Sequence, residues 1–241
     1  MTSTRRPARR PRARARARAA ACLAVLTAPL LALGAGTTPA RAAGTTRTVQ
    51  VPLYYQQLGN DCEAAALRMM LAAHGIAVQD QQILDRIGVD RVHGEFGHDG
   101  PNSGDPFKAF VGDPDGSENE GTGYGVYDPP VAAAARAYGA KVAFTGQGLT
   151  PARLRAHVQA GRPAIVWVDY LWRKRPDHPY TAYDGRSVLY AGPAEHAVVV
   201  TGYTDLAVTI NDPARGHLTV ARGDFEAGYA TYGDMAVVLE A

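Results

Sequence analysis

The sequence predicts an α+β protein, because helical periodicity dominates the first part of the chain and short β-branched runs fill the last third. Helical spacing is clearest at residues 62–74, where apolar side chains recur every three or four positions. The last third instead alternates runs of Val, Ile and Thr with turn residues. This order indicates N-terminal helices packed on a C-terminal antiparallel sheet.

The first 42 residues predict a signal peptide. Eight arginines at residues 5–18 precede an apolar run at residues 19–33, and small residues follow at 40–43. We expect cleavage after Ala42 and an extracellular protein. An uncleaved membrane anchor is the alternative, although the apolar run is short for a membrane span. The paired arginines also allow export by the twin-arginine route.

Removing this segment reverses the net charge. The whole chain carries a formal charge of +2, but nine of its 25 basic residues and none of its 23 acidic ones precede residue 43, which leaves about −7. An acidic protein is not expected to bind nucleic acid. We also expect no stable membrane association after cleavage, because no later apolar stretch reaches membrane length. Residues 43–50 are interpreted as a linker and residues 51–241 as one domain.

The elements of this domain follow in order. Residues 51–55 are typical of a short strand, and the helix at 62–74 is expected to begin with Asn60 as N-cap and Glu63 completing a capping box. A second short helix is predicted within residues 75–87. Residues 94–125, rich in Gly, Asp, Pro and Ser, predict a long loop.

The second half alternates helices and strands. Pro129 and Pro130 open a helix that Gly139 ends, and Pro151 begins another that Gly161 closes. Strands are predicted at residues 141–144, 164–168, 197–203, 207–210, 217–220 and 235–239.

Cysteine usage singles out Cys62. The chain has two cysteines, and Cys22 lies in the predicted signal peptide, so the mature protein cannot form an internal disulfide. Cys62 falls in the first helical turn, where the helix N-terminus lowers a thiol pKa and favours the thiolate. We therefore predict a catalytic nucleophile; a small buried hydrophobic residue is the alternative.

His196 is the predicted base. It opens an apolar strand, and a hairpin centred on Thr204 would set it directly opposite Asp212, whose carboxylate could orient the imidazole. A two-residue turn would instead set His196 against Pro213 and leave Asn211 as the rival orienting residue.

Gln56 is the predicted oxyanion donor, together with the backbone N–H of Cys62, and Gln57 is the alternative. No cofactor is expected. Neither His93 with His98 nor the acidic stretch at 113–120 shows the ligand spacing of a metal site, so none is predicted.

Together these motifs resemble a known family. Gln56-x5-Cys62, Glu-His-Ala-Val-Val-Val-Thr-Gly-Tyr at 195–203 and Ile-Asn-Asp-Pro at 210–213 are similar to the papain-like cysteine peptidases related to the bacteriocin (double-glycine) leader peptidases, in their stand-alone branch. The resemblance covers about residues 51–240. Glu63 follows the cysteine where transporter-linked members commonly have glycine.

The resemblance implies a papain-like fold and a peptide or protein substrate. It carries the nucleophile over to Cys62, the base to His196, the orienting carboxylate to Asp212 and the oxyanion donor to Gln56. The predicted function is a secreted cysteine peptidase with an acyl-enzyme intermediate. The alternatives are an acyltransferase of the transglutaminase type with the same triad, and a non-catalytic papain-like binding module.

Overall fold

The computed structural model describes residues 48–240, so the predicted signal peptide and most of the predicted linker lie outside the described residues. Within this range the chain forms five α-helices: α1 (Cys62–Ala73), α2 (Asp80–Ile87), α3 (Asp128–Ala137), α4 (Pro151–Gln159) and α5 (Arg222–Ala230). It also forms eleven strands: β1 (Val89–Asp90), β2 (Phe110–Gly112), β3 (Gly123–Gly125), β4 (Val142–Gly146), β5 (Ala164–Asp169), β6 (Tyr180–Thr181), β7 (Ser187–Val188), β8 (Glu195–Tyr203), β9 (Ala207–Asp212), β10 (Gly216–Ala221) and β11 (Ala236–Leu239).

The main sheet has six strands in the order β10-β9-β8-β5-β11-β4. Every neighbouring pair in it is antiparallel. Smaller sheets join β1, β2 and β3, and β6 with β7. The predicted α+β class is confirmed, with the first three helices preceding most of the main sheet in the chain.

Successive side chains of β8 enter two hydrophobic cores, because strand residues alternate between the faces of a sheet. Ala197 and Val199 pack in a core with α1, α2 and α3, whereas Val198 and Val200 pack in a second core with α4 and α5. All nine residues of β8 are buried. Strand β8 is therefore packed against a hydrophobic core on each face of the sheet.

The structure differs from the predicted elements at three main places, besides the two-residue strands β1, β6 and β7, which were not predicted. Residues 51–55 form no strand, and residues 94–125 contain β2 and β3 within the expected loop. Helix α5 was not predicted; its sequence contains two glycines, but Phe225 and Tyr229 bury one face of it. Tertiary packing thus outweighs weak helix propensity there.

The chain joins the sheet before residue 51. Val49 donates its N–H to the carbonyl of Thr201 at 2.7 Å, and Thr48 forms an antiparallel bridge with Gly202. Part of the segment interpreted as a linker is therefore attached to β8. No helix in residues 48–240 combines the length and the apolar character that crossing a membrane requires.

Candidate active site

Cys62 is the first residue of α1, as the sequence predicts, and its side chain is 4% exposed. Its Sγ accepts a hydrogen bond from the backbone N–H of Ala197 at 3.3 Å and donates to Oε2 of Glu63 at 3.4 Å. Because Ala197 follows His196 directly, the start of α1 and the start of β8 meet at the sulfur atom.

The helix does not begin with the predicted capping box. Its N-cap is Asp61, and the Asn60 amide donates to the carbonyl of Tyr124 at 2.6 Å. Glu63 turns inward, where its Oε1 accepts the buried N–H of Val126 at 2.6 Å. The prediction was wrong because a buried backbone donor from a distant segment needs this carboxylate as its acceptor.

His196 pairs with Asp212, as predicted. Nε2 of the imidazole lies 2.9 Å from Oδ1 of Asp212, and both side chains are almost fully buried. The ring of Tyr170 packs edge-on against the imidazole, with 5.0 Å between centroids. Since Asp212 occupies Nε2, Nδ1 is the ring nitrogen left for a reacting thiol.

Asp212 is held as a carboxylate by several donors. It accepts the N–H groups of Ala214 at 2.8 Å and Arg215 at 3.0 Å, and the Arg215 guanidinium lies 2.7 Å from Oδ2. Burial alone would raise its pKa, but the hydrogen bond and charge of His196, with Arg215 and the Ala214 N–H, lower it to about 2. Asp212 therefore stays ionised at neutral pH.

The predicted hairpin register was wrong. Val199 pairs with Asn211 and Val200 with Ile210, so neither Asp212 nor Pro213 lies directly opposite His196. In this register Asp212 is offset by two residues from the position opposite His196. An offset of two keeps both side chains on the same face of the sheet, where they are diagonal neighbours.

Thr201 makes this diagonal possible. Between Val200 and Gly202 the register shifts by one residue, so Thr201 is an extra residue in β8. On the far side of Thr201, Gly202 pairs with Thr209. If β8 and β9 kept the Gly202–Thr209 register along their whole length, Asp212 would lie on the opposite face of the sheet from His196. The bulge therefore decides whether the two side chains can meet.

Gln56 lies in the loop before α1, but its amide is already engaged. Nε2 donates to the carbonyls of Leu58 at 3.0 Å and Gly59 at 2.9 Å, which uses both amide hydrogens. In this arrangement Gln56 braces the loop. The alternative, Gln57, is exposed.

The expected low pKa of the thiol is not found. Burial raises the pKa of Cys62 well above its ordinary value, and the nearby carboxyl groups of Glu63 and Glu195 raise it further.

A cleft of about 420 Å³ opens beside these residues. Asn60, Glu118, Tyr170 and Glu195 contribute to its lining, so it reaches the tyrosine ring that packs on the imidazole and the carboxyl group of Glu195, which lies near the sulfur. This is the candidate substrate cleft.

Sequence reasoning missed four residues of the site: Glu63, as an inward-facing acid, Glu195, Arg215 and Tyr170. Two of them could have been predicted from their position in the sequence, because Glu63 follows Cys62 and Glu195 precedes His196. Arg215, three residues after Asp212, fits a charged partner in a tight turn. Nothing in the local sequence of Tyr170 marks it.

His93 and His98, which were weighed as metal ligands, have ordinary partners. Nδ1 of His93 lies 2.9 Å from Asp90 and its ring stacks on Tyr183, while Nδ1 of His98 lies 3.2 Å from the carbonyl of Asp99. These contacts account for both side chains without a metal ion.

The fold is that of C39-like peptidases. The Peptidase_C39 like family matches residues 48–237, so the chain belongs to this family. Among curated proteins, Uncharacterized protein YvpB of Bacillus subtilis (strain 168) is 30% identical over 205 residues, which cover 82% of this chain and 77% of YvpB.

Two crystal structures are similar. One, from Bacillus anthracis, is assigned as a C39-like peptidase; it aligns with a TM-score of 0.69 and 25% identity over 81% of this chain and 98% of that one. The other is a double glycine motif protease from an AMS/PCAT transporter in complex with its leader peptide, with a TM-score of 0.46 and 19% identity over 82% and 96%. The predicted family resemblance is confirmed.

Proposed function

We propose that the protein is a secreted cysteine peptidase that hydrolyses peptide bonds with Cys62, His196 and Asp212. The observation that carries this proposal is the buried His196–Asp212 hydrogen bond of 2.9 Å, positioned one residue from the N–H that contacts the Cys62 sulfur. Membership of a peptidase family supports a peptide substrate.

In the proposed mechanism the Cys62 side chain leaves Glu63 and turns toward Nδ1 of His196, which takes the thiol proton. The thiolate attacks the peptide carbonyl, and the imidazolium then protonates the departing amine, leaving an acyl-enzyme. His196 next takes a proton from water, whose oxygen attacks the thioester and releases the acid and the thiol. Asp212, with its pKa near 2, stabilises the imidazolium throughout.

The oxyanion would be stabilised by the N–H of Cys62, because the first N–H groups of a helix lack intrahelical acceptors. Gln56 is the second proposed donor. To serve, its amide must exchange at least one of its contacts with the Leu58 and Gly59 carbonyls for the substrate oxygen.

The activity is tested by incubating wild type and Cys62→Ala with a diverse peptide library and identifying the products by mass spectrometry. We expect cleavage by wild type alone. Equal cleavage by Cys62→Ala, with both proteins folded by circular dichroism, would refute the mechanism. Products that carry an added amine in place of water would identify an acyltransferase with the same triad.

Secretion is a separate proposal that rests on the sequence of residues 1–42. The mature protein should be recovered from culture medium with Ala43 as its first residue, as read by intact mass. Recovery of the full chain in the membrane fraction would contradict cleavage and support an anchor.

A second candidate function is a non-catalytic binding module on the same fold. The raised pKa of Cys62 favours it, because a thiol that stays protonated is a poor nucleophile. An iodoacetamide reaction of Cys62 no faster than that of a free thiol, together with binding of a peptide without cleavage, would support this candidate.

A further inference from the structure

Cys62 is one of three buried acidic groups that converge where α1 and β8 begin. Its Sγ and one carboxylate oxygen each from Glu63 and Glu195 all lie within 4.8 Å of one another, and all three residues are buried. The sulfur is 3.4 Å from Oε2 of Glu63. Ligands of a tetrahedral zinc ion stand about 3.5 Å apart, given metal–ligand bonds of about 2.0–2.3 Å.

Neither carboxylate has a basic side chain to balance its charge, and Glu195 also has an oxygen without a hydrogen-bond donor. In the part of the chain that the structure describes, neither Glu63 nor Glu195 forms a salt bridge with a lysine or arginine. Glu195 is only 6% exposed, and its Oε1 has no hydrogen-bond partner. A buried acceptor without a donor is costly, so this arrangement favours a ligand that supplies positive charge.

Gly125 makes the convergence possible. A Cβ atom there would lie 2.5 Å from Oε1 of Glu63 and 2.9 Å from Oε2 of Glu195. Oε1 of Glu63 binds the Val126 N–H, which leaves Oε2, the oxygen nearest the sulfur, as its donor atom for an ion. Because Glu195 also lines the cleft, an ion from solvent can reach the site.

We propose that Cys62, Glu63 and Glu195 form a binding site for a divalent zinc-like cation, which blocks the thiol reversibly. A thiolate with two carboxylates suits zinc better than calcium or magnesium, which prefer oxygen ligands alone. The thiol releases its proton to solvent when it binds the ion. Zinc takes four ligands, so one position would be left for water.

Cobalt titration tests the site without requiring peptidase activity. Wild type should bind one Co²⁺ with a near-ultraviolet thiolate-to-cobalt absorption that added Zn²⁺ abolishes. Cys62→Ser should lose this absorption. Glu195→Gln and Glu63→Gln should weaken Co²⁺ binding at least about ten-fold, because even groups that only support a metal ligand change affinity by about 10–100-fold.

Glu120→Gln is the matched control, since Glu120 is an exposed acid on the same segment as Glu118 and should leave Co²⁺ affinity unchanged. Absence of the absorption in saturated wild type, or equal affinity in wild type and Glu195→Gln, would overturn the site. Should Glu195→Gln not fold, Glu63→Gln decides, because its amide oxygen can still accept the Val126 N–H. A wild-type protein that binds Co²⁺ this way but cleaves no peptide would support the site and contradict the peptidase.

Discussion

Asp212 meets His196 across a diagonal of the β8–β9 ladder, at 2.9 Å between Oδ1 and Nε2, because Thr201 adds one residue to β8. The pair therefore depends on a local irregularity as well as on the two side chains. The Asp212 carboxylate has a second role, since it also accepts the backbone N–H groups of Ala214 and Arg215 in the following turn.

Replacing Asp212 separates these roles. Asp212→Asn keeps much of the hydrogen bonding but removes the charge that stabilises an imidazolium, so we expect kcat to fall about 10³–10⁴-fold with a small change in stability. Asp212→Ala also leaves the Arg215 charge without its partner, and should lower the free energy of unfolding by about 3 kcal/mol. Peptide hydrolysis and urea unfolding measure the two effects. Unchanged kcat in Asp212→Asn would remove Asp212 from the mechanism.

Gly125 is expected to tolerate no side chain. In Gly125→Ala the new Cβ would meet both Glu63 and Glu195 within 3 Å, and the backbone φ of +152° is itself unfavourable for alanine. We expect a loss of about 3 kcal/mol in urea unfolding. The matched control is Gly139→Ala, at φ +87° with no atom within 4 Å of the added Cβ, which should cost about 1–2 kcal/mol. Equal losses would show that the carboxylates do not crowd this position.

The buried Glu63 predicts an unusual dependence of stability on pH. Its pKa rises from 4.5 to about 7, chiefly through burial, so the folded state holds a proton that the unfolded state releases. Stability should therefore fall as pH rises from about 4.5 to 7. Asp212, with its pKa lowered from 3.8 to about 2, adds the opposite slope below pH 4.

Urea unfolding at pH 5 and pH 8 measures this dependence. Glu63→Gln should make the fall between the two pH values smaller, although Asp61 and Glu195, whose pKa values are also raised by burial, keep part of it. Glu120→Gln, which removes an exposed acid, should leave the fall unchanged. A wild-type protein more stable at pH 8 than at pH 5 would contradict the raised pKa of Glu63.

The reactivity of Cys62 should respond to Glu195. Burial is the main cause of the raised thiol pKa, and the charges of Glu63 and Glu195 add to it. Glu195→Gln should therefore move the pH midpoint of iodoacetamide labelling downward. The rate is followed by mass spectrometry across pH 6–10, with Glu120→Gln as control. An unshifted midpoint would mean that Glu195 does not influence the thiol.

The sequence was sufficient for features with local causes. The apolar spacing of α1 and the β-branched runs of β5, β8 and β11 are visible in the residues themselves, as is the placement of Cys62 at a helix start. Helix α5 has the opposite character, because it depends on burying Phe225 and Tyr229 rather than on propensity. A spacing of four between aromatic residues was its one local signal.

The site was predictable as a set of residues but not as a geometry. The pairing of His196 with Asp212 was expected, yet the bulge at Thr201 has no marker in the sequence, so the register was wrong. The capping box was wrong for a related reason. Glu63 accepts a hydrogen bond from the N–H of Val126, which is 63 residues away in the chain. A contact between such distant residues cannot be predicted from the residues next to Glu63.

The contact between Val49 and Thr201 sets a limit on how far the N-terminus can be shortened. The carbonyl of Thr201 accepts a hydrogen bond from the Val49 N–H. The first described residues therefore contact the β-bulge that brings Asp212 to His196. The proposed cleavage after Ala42 would leave this contact intact, whereas removal of residues 43–49 as well would abolish it. Recombinant versions of the protein should accordingly begin upstream of Thr48.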